Sequence, residues 1–359
     1  MRVLAFTKYG REAASTRQRF LQYFPSLQSA GIIVDYNPLL GDDYVRALTT
    51  GKRFSRMAAA ASYARRIGQL AQSASYDLIW IYAELFPWLP VLFEKLALRG
   101  STPIVYDIDD AFFVRYEGKP FLSGKLDILM GRAAACVCGN EFLRDYAANF
   151  CERSIVIPTV VDTAKYRPAS RLKGKQIVIG WIGSPSTWAN VRPLLPLLER
   201  LCEEYPVRFR AIGTGVDAAL DRFPGCEFAE WREDSEIAEV QAMDIGIMPL
   251  LDQPFERGKS GYKLVQYMAC GLPVVASPVG VNMQMVTPGE NGFLASTEAE
   301  WREALERLIG DASMRARMGK NGRALAERSY SLAVQAPRLI ALFREIVGEH
   351  APVHAVSLR

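Results

Sequence analysis

The stretch Arg257-Gly-Lys-Ser-Gly-Tyr-Lys263 runs into Leu264-Val-Gln-Tyr-Met-Ala-Cys-Gly271 and then Leu272-Pro-Val-Val-Ala-Ser277. It reads as a basic loop, a short helix, a glycine stop and a buried strand. Upstream, Asp244-Ile-Gly-Ile-Met-Pro-Leu250 supplies another buried strand, so the whole is a βαβ unit of a parallel sheet. Lys259 and Lys263 stand at the helix entrance, where backbone N–H groups and the positive end of the helix dipole already favour an anion. Gly258 and Gly261 let a ligand approach the backbone closely. Ser260 and Tyr262 complete the loop. A hydrogen bond from a charged group is worth about 1.5–3 kcal/mol, and a helix end adds roughly 0.3–1 kcal/mol. Together these groups suffice to hold a diphosphate without a metal. Gln266, three residues beyond Lys263 on nearly the same face, is placed to bond a ribose; an ordinary polar surface residue is the alternative.

The alternation extends in both directions. Residues 176–182, 207–212, 227–231 and 273–276 read as strands of this second series, with helices at 188–205 and 234–242. From 298 onward the chain is largely helical, with a break at Ser329-Tyr-Ser331 and a last helix near 332–347. The first half repeats the pattern, with strands at 2–7, 31–36, 78–82, 103–108, 135–138 and 154–157. Helix-period stretches lie between them, near 15–30, 53–73, 85–98, 121–132 and 141–149. Residues 163–175 are polar and basic and contain Pro168 and Gly174, so they read as an interdomain linker. The expected organisation is an α/β chain of two doubly wound domains, 1–165 and 176–330. A C-terminal helix and tail, 331–359, is expected to cross back to the first domain. Ligands of open α/β sheets bind beyond the C-terminal ends of the strands, so two such sheets facing across a cleft can hold a substrate from both sides.

Composition narrows the function. The 359 residues are half hydrophobic, with a net charge of +4. That suits a soluble two-domain protein and does not point to nucleic acid. The opening Met1-Arg-Val-Leu-Ala-Phe6 is too short for a signal peptide, and no apolar run reaches the length of a membrane span. The six cysteines show no zinc-site spacing, which fits reduced thiols in a cytoplasm. The two histidines, His350 and His354, lie in the tail, so the body of the chain offers none for catalysis or metal.

Three other constellations fall at expected strand ends. Gly183 permits a turn after the first strand of the second domain, and Ser184, Ser186 and Thr187 offer hydroxyls or a helix cap. Tyr106-Asp107-Ile-Asp109-Asp110 clusters carboxylates after an apolar strand of the first domain. They can bind a divalent metal, position a sugar hydroxyl, take a proton or cap a helix. Ser15-Thr-Arg17-Gln-Arg19 opens a helix after the first strand, where Arg17 and Arg19 oppose the dipole and are candidates for contacting an anion. A further basic cluster, Lys52-Arg53, Arg56, Arg65 and Arg66, reads as an amphipathic helix able to lie on anionic lipid.

The run from Lys263 to Ser277, followed by Val279-Gly280 and Glu290-Asn-Gly-Phe-Leu294, resembles the C-terminal signature of family-4 retaining glycosyltransferases. These have the GT-B fold of two Rossmann-like domains. The resemblance implies a nucleotide-diphosphate sugar as donor, transfer with retention and no obligatory metal. It assigns the diphosphate to Lys259, Lys263 and the Gly183–Ser184 turn, and the donor ribose to Gln266, where the family has a glutamate. The family's first motif glutamate falls on Gly258, and Glu256, two residues upstream, is the candidate to replace it. The family's first-domain histidine, near the donor sugar, falls at about Asp109. Asp109, Lys263 and Glu256 are thus the catalytic candidates. Gly183, Ser184, Thr187, Lys259, Ser260, Gly261, Tyr262, Lys263 and Gln266 are the donor-site candidates, and Arg17 and Arg19 the acceptor-site candidates. The resemblance also implies a glycan or lipid-linked acceptor and a role in envelope polysaccharide synthesis. Rival readings are a sugar-nucleotide epimerase of the same fold, a non-catalytic sugar-nucleotide binder, and a metal-dependent transferase using Asp107-Ile-Asp109. An NAD-dependent oxidoreductase fits poorly, because no Gly-x-Gly-x-x-Gly turn follows the first strand.

Overall fold

The computed structural model describes residues 1–49, 54–169 and 176–350. The chain divides into two compact units: Met1–Pro158 with the chain from Gln335 onward, and Thr159–Val334.

The first unit holds a six-stranded parallel sheet: β1 (Arg2–Tyr9), β2 (Ile33–Leu40), β3 (Leu78–Tyr82), β4 (Ile104–Ile108), β5 (Ala135–Cys138) and β6 (Ser154–Val156), in the order β2-β1-β3-β4-β5-β6. β3, β4 and β5 are buried along their whole length, as near-continuous apolar runs of a two-sided parallel sheet should be. The helix expected at 85–98 shrinks to Leu92–Ala97. The basic helix starts at Arg56 and runs to Ala71 behind a Ser55 cap; Lys52 and Arg53 lie outside the described residues. The last helix, Leu332–His350, contributes Leu339, Phe343 and Ile346 to the core of this unit, with Phe343 edge-on to Trp80 at 5.2 Å.

The second unit holds β7 (Ile177–Ile182), β8 (Val207–Ile212), β9 (Cys226–Ala229), β10 (Ile245–Met248), β11 (Val274–Ala276) and β12 (Gly292–Leu294), all parallel, in the order β12-β11-β10-β7-β8-β9. β12 is an addition to the sequence reading: Gly292-Phe-Leu294 has a single glycine-led apolar pair and no flanking apolar run to mark it as a strand. Alternate residues of β7 feed two cores. Val178 and Ile182 pack with the helix Tyr262–Ala269, while Ile179 and Trp181 pack with Leu197, Leu201 and Leu305 on the other face. Both faces are therefore covered.

The division between units falls before Thr159 rather than after 165. Val161 donates to the Tyr330 carbonyl at 3.1 Å and accepts from Leu332 N–H at 2.9 Å, which ties this segment to the second unit. The start of the supposed linker is packed too. Arg323 donates to the carbonyls of Thr163 and Tyr166, and Tyr166 is buried. Residues 170–175 of the linker lie outside the described residues.

Candidate functional site

The strand order of the second sheet reverses at β7. The chain leaves β7 towards β8 and β9, then returns to lay β10 on the other side. Such a switch point opens a crevice beyond the strand ends, and the basic loop and its helix sit there. Gly246 on β10 lets the Tyr267 ring lie flat on the sheet; a β-carbon at 246 would meet that ring at 2.4 Å. The Tyr267 hydroxyl accepts from Ile182 N–H at 3.0 Å and donates to the Ile247 carbonyl at 3.3 Å. One buried side chain thus bridges the splayed ends of β7 and β10 and fixes the helix over them. Lys263 precedes Tyr267 by four residues, so it projects from the same face one turn nearer the edge. Its Nζ lies 5.5 Å from the centre of the Trp181 ring. Its Cε lies 2.9 Å from where a β-carbon at Gly183 would stand. Gly183 therefore makes the room through which Lys263 reaches the edge of the sheet.

The loop before the helix is built to hold one shape. Gly261 takes φ 68° at the helix N-cap, with Met285 and Val281 where a side chain would go. Gly280 lets the segment after β11 pack on the Arg257 carbonyl. Ser277 accepts from Leu250 N–H at 3.0 Å, and Asn190 from Leu251 N–H at 2.9 Å. Ser260 is buried, Tyr262 half-buried, and Lys259 holds its ammonium 4.7 Å from the Phe255 ring centre. Glu256 lies on the one-turn helix Pro254–Arg257 in the same loop.

Several expectations change. In the turn after β7, the amides of Gly183 and Ser184 are already committed. Gly183 N–H donates to the Ile212 carbonyl at 3.0 Å and Ser184 N–H to the Thr187 hydroxyl at 3.2 Å. What the turn offers an anion is the exposed hydroxyls of Ser184 and Ser186, 3.0 Å apart, while Thr187 serves the capping box. Gln266 is not a ribose reader at the surface. It is 3% exposed and gives its amide to Glu236 at 2.6 Å and to Tyr166 at 3.2 Å. Glu236 also accepts from Trp231 Nε1 at 2.7 Å and from the Tyr166 hydroxyl. Trp231 is thereby held in this network. Burial, reinforced by Glu236, raises the Tyr166 phenol.

The acceptor-site candidates turn out to be structural. Arg19 is fully buried, bonding Asp107 at 2.6 Å and the Ile157 carbonyl at 2.6 Å. Arg17 donates to the carbonyls of Arg11 and Glu12, both at 2.9 Å, and so clamps the turn after β1. Asp107, committed to Arg19 and to Trp80 Nε1 at 3.3 Å, is no open metal ligand. That removes the basis for Asp107-Ile-Asp109 as a metal pair.

Asp109 is placed differently. It follows the end of β4, is buried, and accepts from the Tyr82 hydroxyl at 2.6 Å. Burial first, then the neighbouring Asp110, pushes its carboxyl up to about 7, against the pull of Arg19 and the Tyr82 hydrogen bond. The switch point of the first sheet, between β1 and β3, is filled by its own side chains: Lys8 pairs with buried Glu84 at 2.5 Å, and the Tyr116 hydroxyl also donates to Glu84.

Sequence reasoning missed Gly213 and Gly215, whose positive φ angles fold the turn after β8 against the Gly183 carbonyl and Pro185. The signal was present in Ile212-Gly-Thr-Gly215 directly after a strand. It also missed Glu236, which no local motif marks.

Residues 176–311 match the family described as glycosyl transferases group 1. The D-inositol 3-phosphate glycosyltransferase of Stackebrandtia nassauensis is 27% identical over 241 residues, which is 57% of this chain and 51% of that protein. The chain spans about half the length of the curated relatives it matches. Two solved structures resemble nearly the whole chain. Sucrose-phosphate synthase from Thermosynechococcus elongatus gives a TM-score of 0.74 at 15% identity, covering 97% of this chain and 99% of that one. HepE of Anabaena, in complex with UDP-glucose, gives 0.74 at 17% identity, covering 96% and 99%. At such identities the likeness concerns the fold. Residues 176–311 of the second unit are therefore similar to the glycosyl transferases group 1 domain, and the two six-stranded parallel sheets share the GT-B fold of these solved structures.

Proposed function

We propose that the protein is a retaining glycosyltransferase that takes a sugar from a nucleoside diphosphate sugar. The observation that carries this reading is the placement of Lys263 at the β7/β10 switch point, locked there by Tyr267 and admitted by Gly183. Departure of the nucleoside diphosphate develops negative charge on its terminal phosphate. Lys263, Lys259 and the N-terminus of the helix Tyr262–Ala269 stabilise that charge more as it grows, which is what lowers the barrier. The hydroxyls of Ser184 and Ser186 supplement them. The cationic groups come from side chains, so the reaction needs no metal. The acceptor hydroxyl attacks the face from which the leaving group departs, and its proton passes to a phosphate oxygen. Asp109, poised near neutrality, orients the sugar or the acceptor hydroxyl. The acceptor is a glycan or a lipid-linked glycan. HepE, of the same fold, has been crystallised with UDP-glucose, so a uridine donor is the first to try.

The test has two parts. UDP-, GDP- and ADP-linked sugars are screened for a rise in the thermal midpoint, which binding to the native state produces by mass action. Turnover is then compared for wild type and Lys263→Ala, where loss of one charge-assisted contact should cost roughly 10- to 150-fold. A variant with near-normal rate and donor affinity refutes the assignment. Product analysis without acceptor separates transfer from epimerisation.

A further inference from the structure

We propose that this protein docks peripherally on an anionic lipid bilayer through one face of its first unit, formed by the helix Arg56–Ala71, the helix Leu92–Ala97 and the loop tips at Trp88 and Phe121. The inference does not depend on the donor chemistry.

A helix that faces water ordinarily covers its outer side with charges of both signs. The helix Arg56–Ala71 does not. It contains no acidic residue, and beside Arg56 and Arg65 its outer side carries Met57, Ile67, alanines and a glycine. Met57 is 84% exposed. The third arginine expected there, Arg66, points inward and bonds the carbonyls of Thr7, Asn37 and Leu85. That leaves an outer face that is apolar with a sparse positive charge, and the buried arginine anchors it rigidly.

The neighbouring helix continues this surface. Helix Leu92–Ala97 packs beside helix Arg56–Ala71, joined by the Tyr63 hydroxyl on the Pro87 carbonyl and by Tyr63 stacked on Phe86 at 6.4 Å. It exposes Leu92, Phe93 and Leu96, with Lys95 among them. Trp88 and Phe121 adjoin it, 54% and 82% exposed. Both have positive φ, 62° and 63°, a conformation that large side chains avoid. The fold enforces it: Trp88 N–H donates to the Tyr116 hydroxyl at 3.3 Å, and Phe121 accepts from Val91 N–H at 3.1 Å. Lys119 lies over the Trp88 ring at 4.8 Å. Two strained backbone positions thus hold two aromatic rings out into solvent.

Charge selects the occupant. The acids within these segments are Glu94, buried against Lys125 at 3.0 Å, and Glu117. Arg56, Arg65, Lys95 and Lys119 leave the surface positive. Apolar side chains and a tryptophan, ringed by long cationic ones, match the acyl–headgroup boundary of a bilayer containing anionic lipid.

The experiment is flotation of the full chain with phosphatidylcholine vesicles, with and without phosphatidylglycerol. Wild type should float with the anionic vesicles and stay behind with the neutral ones. Arg56→Glu/Lys95→Glu should weaken partitioning about fivefold per cation removed, and Met57→Asp/Leu96→Asp at least about tenfold. These positions are exposed, so both variants should keep the wild-type thermal midpoint and circular dichroism. The proposal is overturned if wild type ignores anionic vesicles, or if well-folded variants float as wild type does. It is also overturned if wild type sediments as a dimer that Met57→Asp/Leu96→Asp splits, which would place a second copy on this face.

Discussion

Gly183→Ala is the sharpest test of the proposed donor site, because it adds one methyl and no charge. The new β-carbon would stand 2.4 and 2.5 Å from two atoms of the Trp181 indole and 2.9 Å from Cε of Lys263. Trp181 is buried and packed against Trp188 at 5.2 Å, so the ring has nowhere to go. The backbone at 183 must therefore shift off the indole, towards the lysine stem, which is the flexible neighbour and gives way. Its ammonium then leaves the mouth of the crevice. Overpacking of this kind costs about 1–3 kcal/mol of stability. Loss of one charge-assisted hydrogen bond to a phosphate costs a further 1.5–3 kcal/mol or so of affinity, about 10- to 150-fold in Kd.

The affinity loss must run through Lys263, and a double-mutant cycle checks that. Calorimetric titrations with UDP, GDP and ADP select the best nucleotide for wild type. The same titration is then run on Gly183→Ala, Lys263→Met and the double variant. If the methyl acts by displacing the ammonium, it has nothing left to displace in the Lys263→Met background. The double variant then binds about as weakly as Lys263→Met alone, and the coupling energy equals most of the Gly183→Ala effect. The reasoning is refuted if Gly183→Ala loses stability but keeps nucleotide affinity, or if the two losses add.

Three further outcomes follow from buried groups. In the native state the Asp109 carboxyl sits at about 7, against about 3.9 when unfolded. The folded chain therefore holds the extra proton, and the stability from this group is full below about pH 4 and lost as pH rises through about 7. Asp109→Asn should erase that decline in a urea-midpoint profile; parallel profiles for the two proteins would refute it. Arg19→Met leaves Asp107 charged and buried, and should cost about 3–5 kcal/mol by urea unfolding, least in acid where Asp107 can take a proton. A loss below about 1 kcal/mol would mean the pair is not what holds β4 to the first helix. Gln266→Glu puts a second carboxylate where the amide now meets Glu236 at 2.6 Å. It should destabilise the second unit increasingly as pH rises, and Glu236→Gln should rescue it. Unchanged stability would show that position 266 does not face Glu236.

The fold was legible because parallel strands buried on both faces announce themselves as apolar runs, and their spacing by helices leaves few topologies. Ile81 and Val105 could be placed from such runs. Positions set by one close contact could not. β12 is three residues long, and its identity rests on pairing with β11. The candidate site was half legible for the same reason. A lysine at a helix entrance after a buried strand has a local signature, and Lys263 lies where the pattern put it. What Arg19 and Gln266 do depends on partners far away in the chain: Asp107 is 88 residues from Arg19, and Glu236 is 30 from Gln266. A basic residue near a helix start looks the same in sequence whether it reaches for a ligand or closes a buried pair.

Gln266 shows how such a partner can decide a residue type. Where the resemblance implies a glutamate, this chain has already placed the Glu236 carboxylate, with Trp231 and Tyr166 donating to it. Two carboxylates there would share too few donors to stay ionised. An amide supplies one more donor and removes one charge. The amide at 266 is therefore what the packing around Glu236 demands.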